Sequence, residues 1–383
     1  MNFYSPKLKA KFWIPVKEIE EEAMQQIRNL SEIPDVFRWI AVMPDVHPGY
    51  GMPIGCVVAL KENVIPYAVG MDIGCGVVTV KTDLTADMVM KYRQQILKLF
   101  LEKIPVGFKW RKKALASDFW KREPAGPITE RERKNAEKQL GTLGGGNHFI
   151  EIQKDELGNI YLTVHSGSRN LGKQVASYYD KIAREYCKKR GIKPPPGLAW
   201  LPRNSKSGRQ YLAEMEFCMA FASENRRLLV ASALEVMRYF FPEMKELERI
   251  ETVHNYASLE RHYGEKVLVH RKGAVLAKGK VIIPGSMGSP TYIAKGLCNP
   301  ESFCSCSHGA GRVLGRHEAK RKLNFAEVKK DLDERNVVLM TPDKGAVIEE
   351  ARVAYKDIDK VMDYQKDLVE RLVKLTPLAV IKG

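Results

Sequence analysis

Apolar residues recur every three or four positions over residues 16–29, 86–104, 171–190, 210–241, 325–334 and 355–375, the spacing of helices that bury one face. Between them lie short runs rich in β-branched residues at 55–60, 76–81, 160–164, 266–269 and 280–283, which read as strands. Helices and strands are interspersed from end to end, so the pattern predicts an α/β class of mixed α+β type. No repeat, low-complexity tract or Ser/Gly linker divides the chain, and one compact domain over residues 1–383 is expected. Two polar stretches stand apart. Residues 109–138 combine many charges with Trp110, Trp120 and the breakers Pro124, Gly126 and Pro127, and predict an exposed excursion ending in a charged helix. Residues 188–209 include Pro194-Pro195-Pro196 and predict a surface loop. Such loops serve either as substrate contacts or as ordinary insertions.

Charge sharpens this picture. Lys and Arg total 62 against 46 Asp and Glu, a net +16 that suits a polyanionic partner bound through phosphate contacts and counterion release, or a merely basic surface. No run approaches the roughly 20 apolar residues of a membrane span, and Met1 to Lys7 lacks the apolar run of a signal peptide. A non-exported, cytoplasmic protein without a membrane partner is expected. The seven cysteines are odd in number and scattered, which argues against a disulfide framework and for reduced thiols able to bind metal.

Most of the eight histidines sit in short runs with glycine: Met43-Pro44-Asp45-Val46-His47-Pro48-Gly49, Gly144-Gly145-Gly146-Asn147-His148, Val164-His165-Ser166-Gly167-Ser168-Arg169, Val253-His254-Asn255 and Ser307-His308-Gly309-Ala310-Gly311-Arg312. A further run, Gly70-Met71-Asp72-Ile73-Gly74-Cys75-Gly76, places a carboxylate and a thiol three residues apart across a glycine. Imidazole and thiolate suit Zn, Mn, Co or Fe, and a carboxylate adds affinity for Mn²⁺. Arg169 and Arg312 offer guanidinium forks for oxyanions, and the turn Pro284-Gly285-Ser286-Met287-Gly288-Ser289-Pro290 offers amides and hydroxyls for a phosphate. His262, His270 and His317 lie among Arg and Lys and read as surface or phosphate contacts; Cys56, Cys187 and Cys218 read as core, and Cys304-Ser305-Cys306 as packing. The chain has no GxxxxGK[ST] loop, no Lys-x-Asp-Gly, no His-x-His-x-Asp-His and no His-Asp pair, which disfavours the common nucleotide and metal enzymes of nucleic-acid chemistry.

Taken together and in this order, these runs resemble the RtcB family of RNA ligases, from Met43 to the terminal Val380-Ile381-Lys382-Gly383. The resemblance implies one α/β domain around a deep metal-lined cleft. It implies a ligase joining RNA ends that bear a 2′,3′-cyclic phosphate or 3′-phosphate to a 5′-hydroxyl, in tRNA splicing or RNA repair, with GTP and two Mn²⁺ ions. By the same resemblance Cys75 bridges two metals, His148 and His165 complete one site, and Asp72 with His254 completes the other, while Asp45 and His47 support them. His308 is the nucleophile that takes GMP. Asn147 meets the GTP phosphates; Phe149, Glu151, His254, Ser286, Ser289, Tyr355 and Lys382 bind the nucleotide, and Arg169 and Arg312 hold RNA or triphosphate oxyanions. An activating partner protein is compatible with the family. Gly315 stands where the family pattern leads one to expect serine. The alternatives are a metal-dependent phosphodiesterase or cyclic-phosphate hydrolase that uses no GTP, and a basic RNA-binding scaffold.

Overall fold

In a computed structural model, which describes residues 3–383, the strands form two principal sheets. One runs in the order Phe3–Ser5, Ala10–Phe12, Val36–His47, Ile54–Leu60, Glu265–Lys272, Asn255–His262. The other runs Glu246–Val253, Gly76–Thr85, Asn159–Ser166, Phe149–Lys154, Val369–Lys382, Thr291–Leu297, Lys278–Pro284, with Val338–Met340 also along Val369–Lys382. Within these two sheets pairing is antiparallel except where Ala10–Phe12 meets Val36–His47 and Val338–Met340 meets Val369–Lys382. This is the mixed α/β single domain expected. Many central strands, such as Gly76–Thr85 and Asn159–Ser166, are buried on both faces, which explains their continuous β-branched runs.

The helices cover these sheets. Lys206–Phe240 is capped by the Ser205 hydroxyl, which accepts from Gly208 N at 3.0 Å, and it packs on Arg169–Lys189 and across the Gly76–Thr85 and Asn159–Ser166 strands. The helix expected over 16–29 begins at Glu21 after a single 3-10 turn, and that expected over 86–104 is broken into Ala86–Met90 and Arg93–Lys103. No helix among the described residues is long and apolar enough to cross a membrane.

Three expectations need correction. Residues 355–375 are not one helix: a short helix, Ile358–Tyr364, gives way to the strand Val369–Lys382, which pairs with three other strands. That sheet pairing overrides the helix-like spacing of Leu368, Leu372 and Leu375. His270 is not at the surface but fully buried, because Glu265–Lys272 lies inside its sheet; its Nδ1 donates to Leu268 O and its Nε2 accepts from Ile65 N, both at 3.2 Å. Cys298 and Cys304 are joined in a disulfide around the capped turn Pro300–Ser302, whereas the other cysteines are free and buried. The 109–138 excursion is anchored by Phe119, buried with its ring 5.0 Å from Phe217 and 5.6 Å from Phe221, and it ends in the helices Pro127–Arg131 and Arg133–Gln139. Leu198, Ala199 and Leu201 likewise tuck the 188–209 stretch into the core.

Candidate metal centre and adjoining cleft

Strand register explains why residues far apart in sequence converge. Val253 pairs with Gly76, Gly76 with Ser166, Phe149 with His165, and Lys382 with Phe149. Hence His254, just past one strand, Cys75, just before the next, His165, near the end of a third, and His148, just before a fourth, all emerge at the same edge of the sheet. The loops are laced together there: His254 N donates to Cys75 O at 3.0 Å, Gly74 N to Asn255 O at 2.8 Å, and Asn255 Nδ2 to Asp72 O at 3.1 Å.

Cys75, His148 and His165 form a buried group whose donor atoms all lie within 4.8 Å of one another. Cys75 Sγ is 3.2 Å from His165 Nε2 and 3.5 Å from His148 Nε2. Backbone carbonyls set the ring protons: His148 Nδ1 donates to Leu143 O at 3.0 Å and His165 Nδ1 to Asn147 O at 3.1 Å. Both Nε2 lone pairs therefore face inward. Asp72 Oδ2 lies 3.0 Å from His148 Nε2, and His254 Nε2 lies 3.4 Å from His165 Nε2. Asp72 thus lies beside His148 and His254 beside His165, flanking the Cys75, His148 and His165 group that the resemblance assigned to one ion.

Electrostatics fit a cation. Burial, reinforced by the Asp72 carboxylate, pushes the Cys75 thiol well above its usual range. Burial opposes ionisation of Asp72, yet the adjoining His148 imidazole and the Arg169 guanidinium hold it below the usual carboxylate range. Burial, then mutual repulsion with neighbouring imidazoles, keeps His165 and His254 neutral. Unprotonated nitrogens and a buried thiol, turned toward a partly exposed carboxylate, are stabilised by a divalent ion such as Mn²⁺ or Zn²⁺.

A pair of residues that sequence reading missed holds these loops. On the Lys206–Phe240 helix, Asn225 Nδ2 donates to Thr142 O (3.2 Å), Ser166 Oγ (3.0 Å) and Gly167 O (3.3 Å), and its Oδ1 accepts from Gly141 N (2.7 Å). The fully buried Arg226 donates through Nη1 to Gly74 O (2.7 Å) and Ser166 O (2.9 Å), while Glu251 takes its other side. One helical turn therefore clamps the loops that carry Cys75, His148 and His165.

On the far side of His254 stands His308, ring centroids 4.9 Å apart. The Asp45 carboxylate accepts from His308 Nδ1 at 2.7 Å and from the His308 and Gly309 backbone N–H groups at 3.0 and 3.3 Å. It thus serves His308 rather than the metal-facing histidines. His47 stacks loosely on His308 at 6.4 Å, and burial lowers it to about 3, so it is neutral.

His308, His47 and His165 line a cleft of about 880 Å³, with Asn147, Phe149 and Glu151 on another wall. That volume suits a nucleotide. Lys382 and Glu350 lie at its buried end, Nζ to Oε2 3.5 Å, and burial raises the Glu151 carboxyl to about 8. Ser286 lines the cleft and bonds Ser289 hydroxyl to hydroxyl at 2.9 Å across the expected turn. Arg312 is committed within the protein, donating to Leu314 O (3.0 Å), Glu350 (3.1 Å), the Tyr355 hydroxyl (2.8 Å) and Glu349 O. Arg169 differs. Its backbone is left-handed at φ 58°, its buried Nε has no partner, and its guanidinium occupies the space where a Gly144 β-carbon would sit, 2.0 Å away. Glu350 and Arg316, which the sequence reading did not single out, also line the cleft.

The family model described as tRNA-splicing ligase RtcB matches residues 26–123 and 116–383. The chain is similar to the RNA-splicing ligase RtcB of Escherichia coli strain K12, 35% identical over 399 residues, covering 97% of each chain. It is also similar to tRNA-splicing ligases RtcB of Thermococcus kodakarensis and Methanococcus maripaludis, each 32% identical over 444 residues, covering 95% and 96% of this chain and 92% of each relative. With its metal-competent group at one sheet edge and a near full-length match, the chain belongs to the RtcB family.

Proposed function

We propose that the protein is a GTP- and Mn²⁺-dependent RNA ligase that joins 2′,3′-cyclic phosphate or 3′-phosphate ends to 5′-hydroxyl ends, in tRNA splicing or RNA repair in the cytoplasm. The observation that carries the proposal is the placement of His308. Asp45 fixes a proton on its Nδ1, and the ring lines the cleft next to the metal-competent group. Nε2 is then the nucleophile.

In the first step His308 Nε2 attacks the α-phosphorus of GTP, forming a P–N bond as the bond to pyrophosphate breaks. GMP then passes from His308 to the RNA 3′-phosphate, which turns a poor leaving oxygen into a good one. The 5′-hydroxyl attacks that phosphorus and GMP departs; cyclic ends are first opened by water. Cys75, His148 and His165 would hold one ion and Asp72, Cys75 and His254 the other, where the cations would supply charge stabilisation at phosphoryl oxygens. Glu151 and Lys382, placed together at the cleft end, suit the donor edge and the carbonyl of guanine. The unpartnered Arg169 Nε suits a phosphate oxygen.

Incubation with GTP labelled at the α-phosphate and Mn²⁺ should give an acid-labile adduct on His308, lost in His308→Ala. A nicked stem-loop should then be sealed from cyclic-phosphate and 3′-phosphate ends and not from a 3′-hydroxyl. Cyclic-phosphate hydrolysis without labelling would instead identify a phosphodiesterase. Efficient joining of a 3′-hydroxyl to a 5′-phosphate would overturn the mechanism.

A further inference from the structure

Between Ile104 and Ser117 the chain carries Lys109, Arg111, Lys112 and Lys113 and no acidic residue. The segment is pinned at its base. Leu143 N donates to Pro105 O, Gly107 N to Gly144 O and Arg111 N to Lys138 O, each at 2.9 Å, and Arg111 Nη2 reaches Gly141 O at 2.7 Å. These bonds hold it against the loop that runs through Gly144 to His148. Gly146 of that loop abuts the Arg316 guanidinium, 3.2 Å from the place of its missing β-carbon, and Arg316 lines the cleft. The segment therefore borders the cleft mouth on the His148 side.

On this fixed base Phe108 is 99% exposed and Trp110 46% exposed. Lys109, Lys112 and Lys113 are exposed beside them, and none is in an ion pair among the described residues. Apolar rings left in water add nothing to folding. Aromatic faces interleaved with unpaired cations are the means by which proteins hold single-stranded nucleic acid, bases stacking on rings while lysines follow the phosphates.

We propose that residues 108–113 form a stacking platform for unpaired RNA nucleotides flanking the reacting end, with Phe108 and Trp110 as the stacking faces and Lys109, Lys112 and Lys113 as the backbone contacts. The inference rests on the ligase reading above. Its position beside a phosphate-handling cleft favours RNA over a protein or bilayer partner.

The test uses the full chain and a short single-stranded RNA with a 5′-hydroxyl, its binding followed by fluorescence anisotropy. Phe108→Ala/Trp110→Ala is expected to weaken binding about tenfold or more, since each stacked base contributes severalfold or more in affinity. Lys109→Ala/Lys112→Ala/Lys113→Ala should lower the slope of log affinity against log salt by about 2, close to 0.7 per lost single-strand phosphate contact. RNA should quench tryptophan emission in the wild type and less so in Trp110→Phe. Affinity within twofold of wild type in the aromatic double variant would overturn the platform, and so would quenching unchanged in Trp110→Phe. Guanylylation is scored on the same preparations. Normal His308 labelling in the variants assigns the affinity loss to this segment, whereas no labelling in the wild type sinks the ligase reading and leaves anisotropy to judge the platform alone.

Discussion

Asp45 Oδ2 lies 2.7 Å from His308 Nδ1 and also accepts the backbone N–H of His308. One buried carboxylate thus fixes both the ring and the peptide that carries it. Asp45→Asn keeps the shape but can offer its amide N–H to Nδ1, favouring the tautomer with its proton on Nε2. Guanylylation is expected to slow by on the order of 10²-fold or more, as in other His–carboxylate pairs. Metal content measured by mass spectrometry should stay at the wild-type value; a normal rate would show that tautomer control is unimportant here.

The division of metal donors predicts distinct losses. Cys75→Ala should remove metal from both positions, because its sulfur is the donor proposed for both. Asp72→Ala and His254→Ala should each weaken only the second position and leave the one held by Cys75, His148 and His165 loaded. Metal stoichiometry of the three variants decides the matter, and equal losses from all three would contradict the division.

Stability should depend on pH through Glu151. Burial raises its carboxyl from 4.5 to about 8 in the folded chain. Between those values the folded protein keeps a proton that the unfolded chain releases, so the contribution is fully present below 4.5 and lost as pH rises through about 8. Thermal midpoints of ligand-free protein should fall across that window from this source, and Glu151→Gln should flatten the slope. The same slope in the variant would exclude Glu151 as its origin.

Gly167 leaves room for Asp72. A β-carbon there would lie 2.2 Å from Asp72 Oδ1. Gly167→Ala should displace that carboxylate and lose metal at the position proposed for Asp72 and His254, with little change in secondary structure by circular dichroism. Full metal loading would mean the loop relaxes around the methyl group.

Arg226→Met should destabilise the fold by about 3 kcal/mol, since it strands two carbonyls and leaves Glu251 without its partner. Glu251 is one-third exposed, which keeps the loss toward the low end for a broken ion pair. Denaturant unfolding measures this, and a change below about 1 kcal/mol would remove Arg226 from the clamp.

The candidate site was more legible in the sequence than parts of the fold. Glycine beside Asp, Cys and His marked the loops at the sheet edge, because close backbone approach and metal chemistry both leave residue-type signatures. Which donors are neighbours came only through the resemblance, which grouped Cys75 with His148 and His165, since register sets that and register is non-local: Gly76 meets both Val253 and Ser166. The Val369–Lys382 strand was hidden for a similar reason, its apolar spacing being compatible with either period until its strand partners are known. His270 looked like a surface or phosphate contact because Arg271 and Lys272 follow it, yet all three sit in an interior strand where Glu260 neutralises Arg271. Asn225 and Arg226 left no trace beyond two polar letters in a helix.

The clamp formed by Asn225 and Arg226 means that donor spacing is established when the helix docks, before any ion arrives. The ordering entropy is met by folding rather than by binding, so the ion finds a rigid template. Discrimination among cations then works by tolerance of a fixed spacing, and a poorly matched ion is held in distorted coordination instead of being refused. Replacing the working metal would in that case change the rate of phosphoryl transfer more than it changes occupancy.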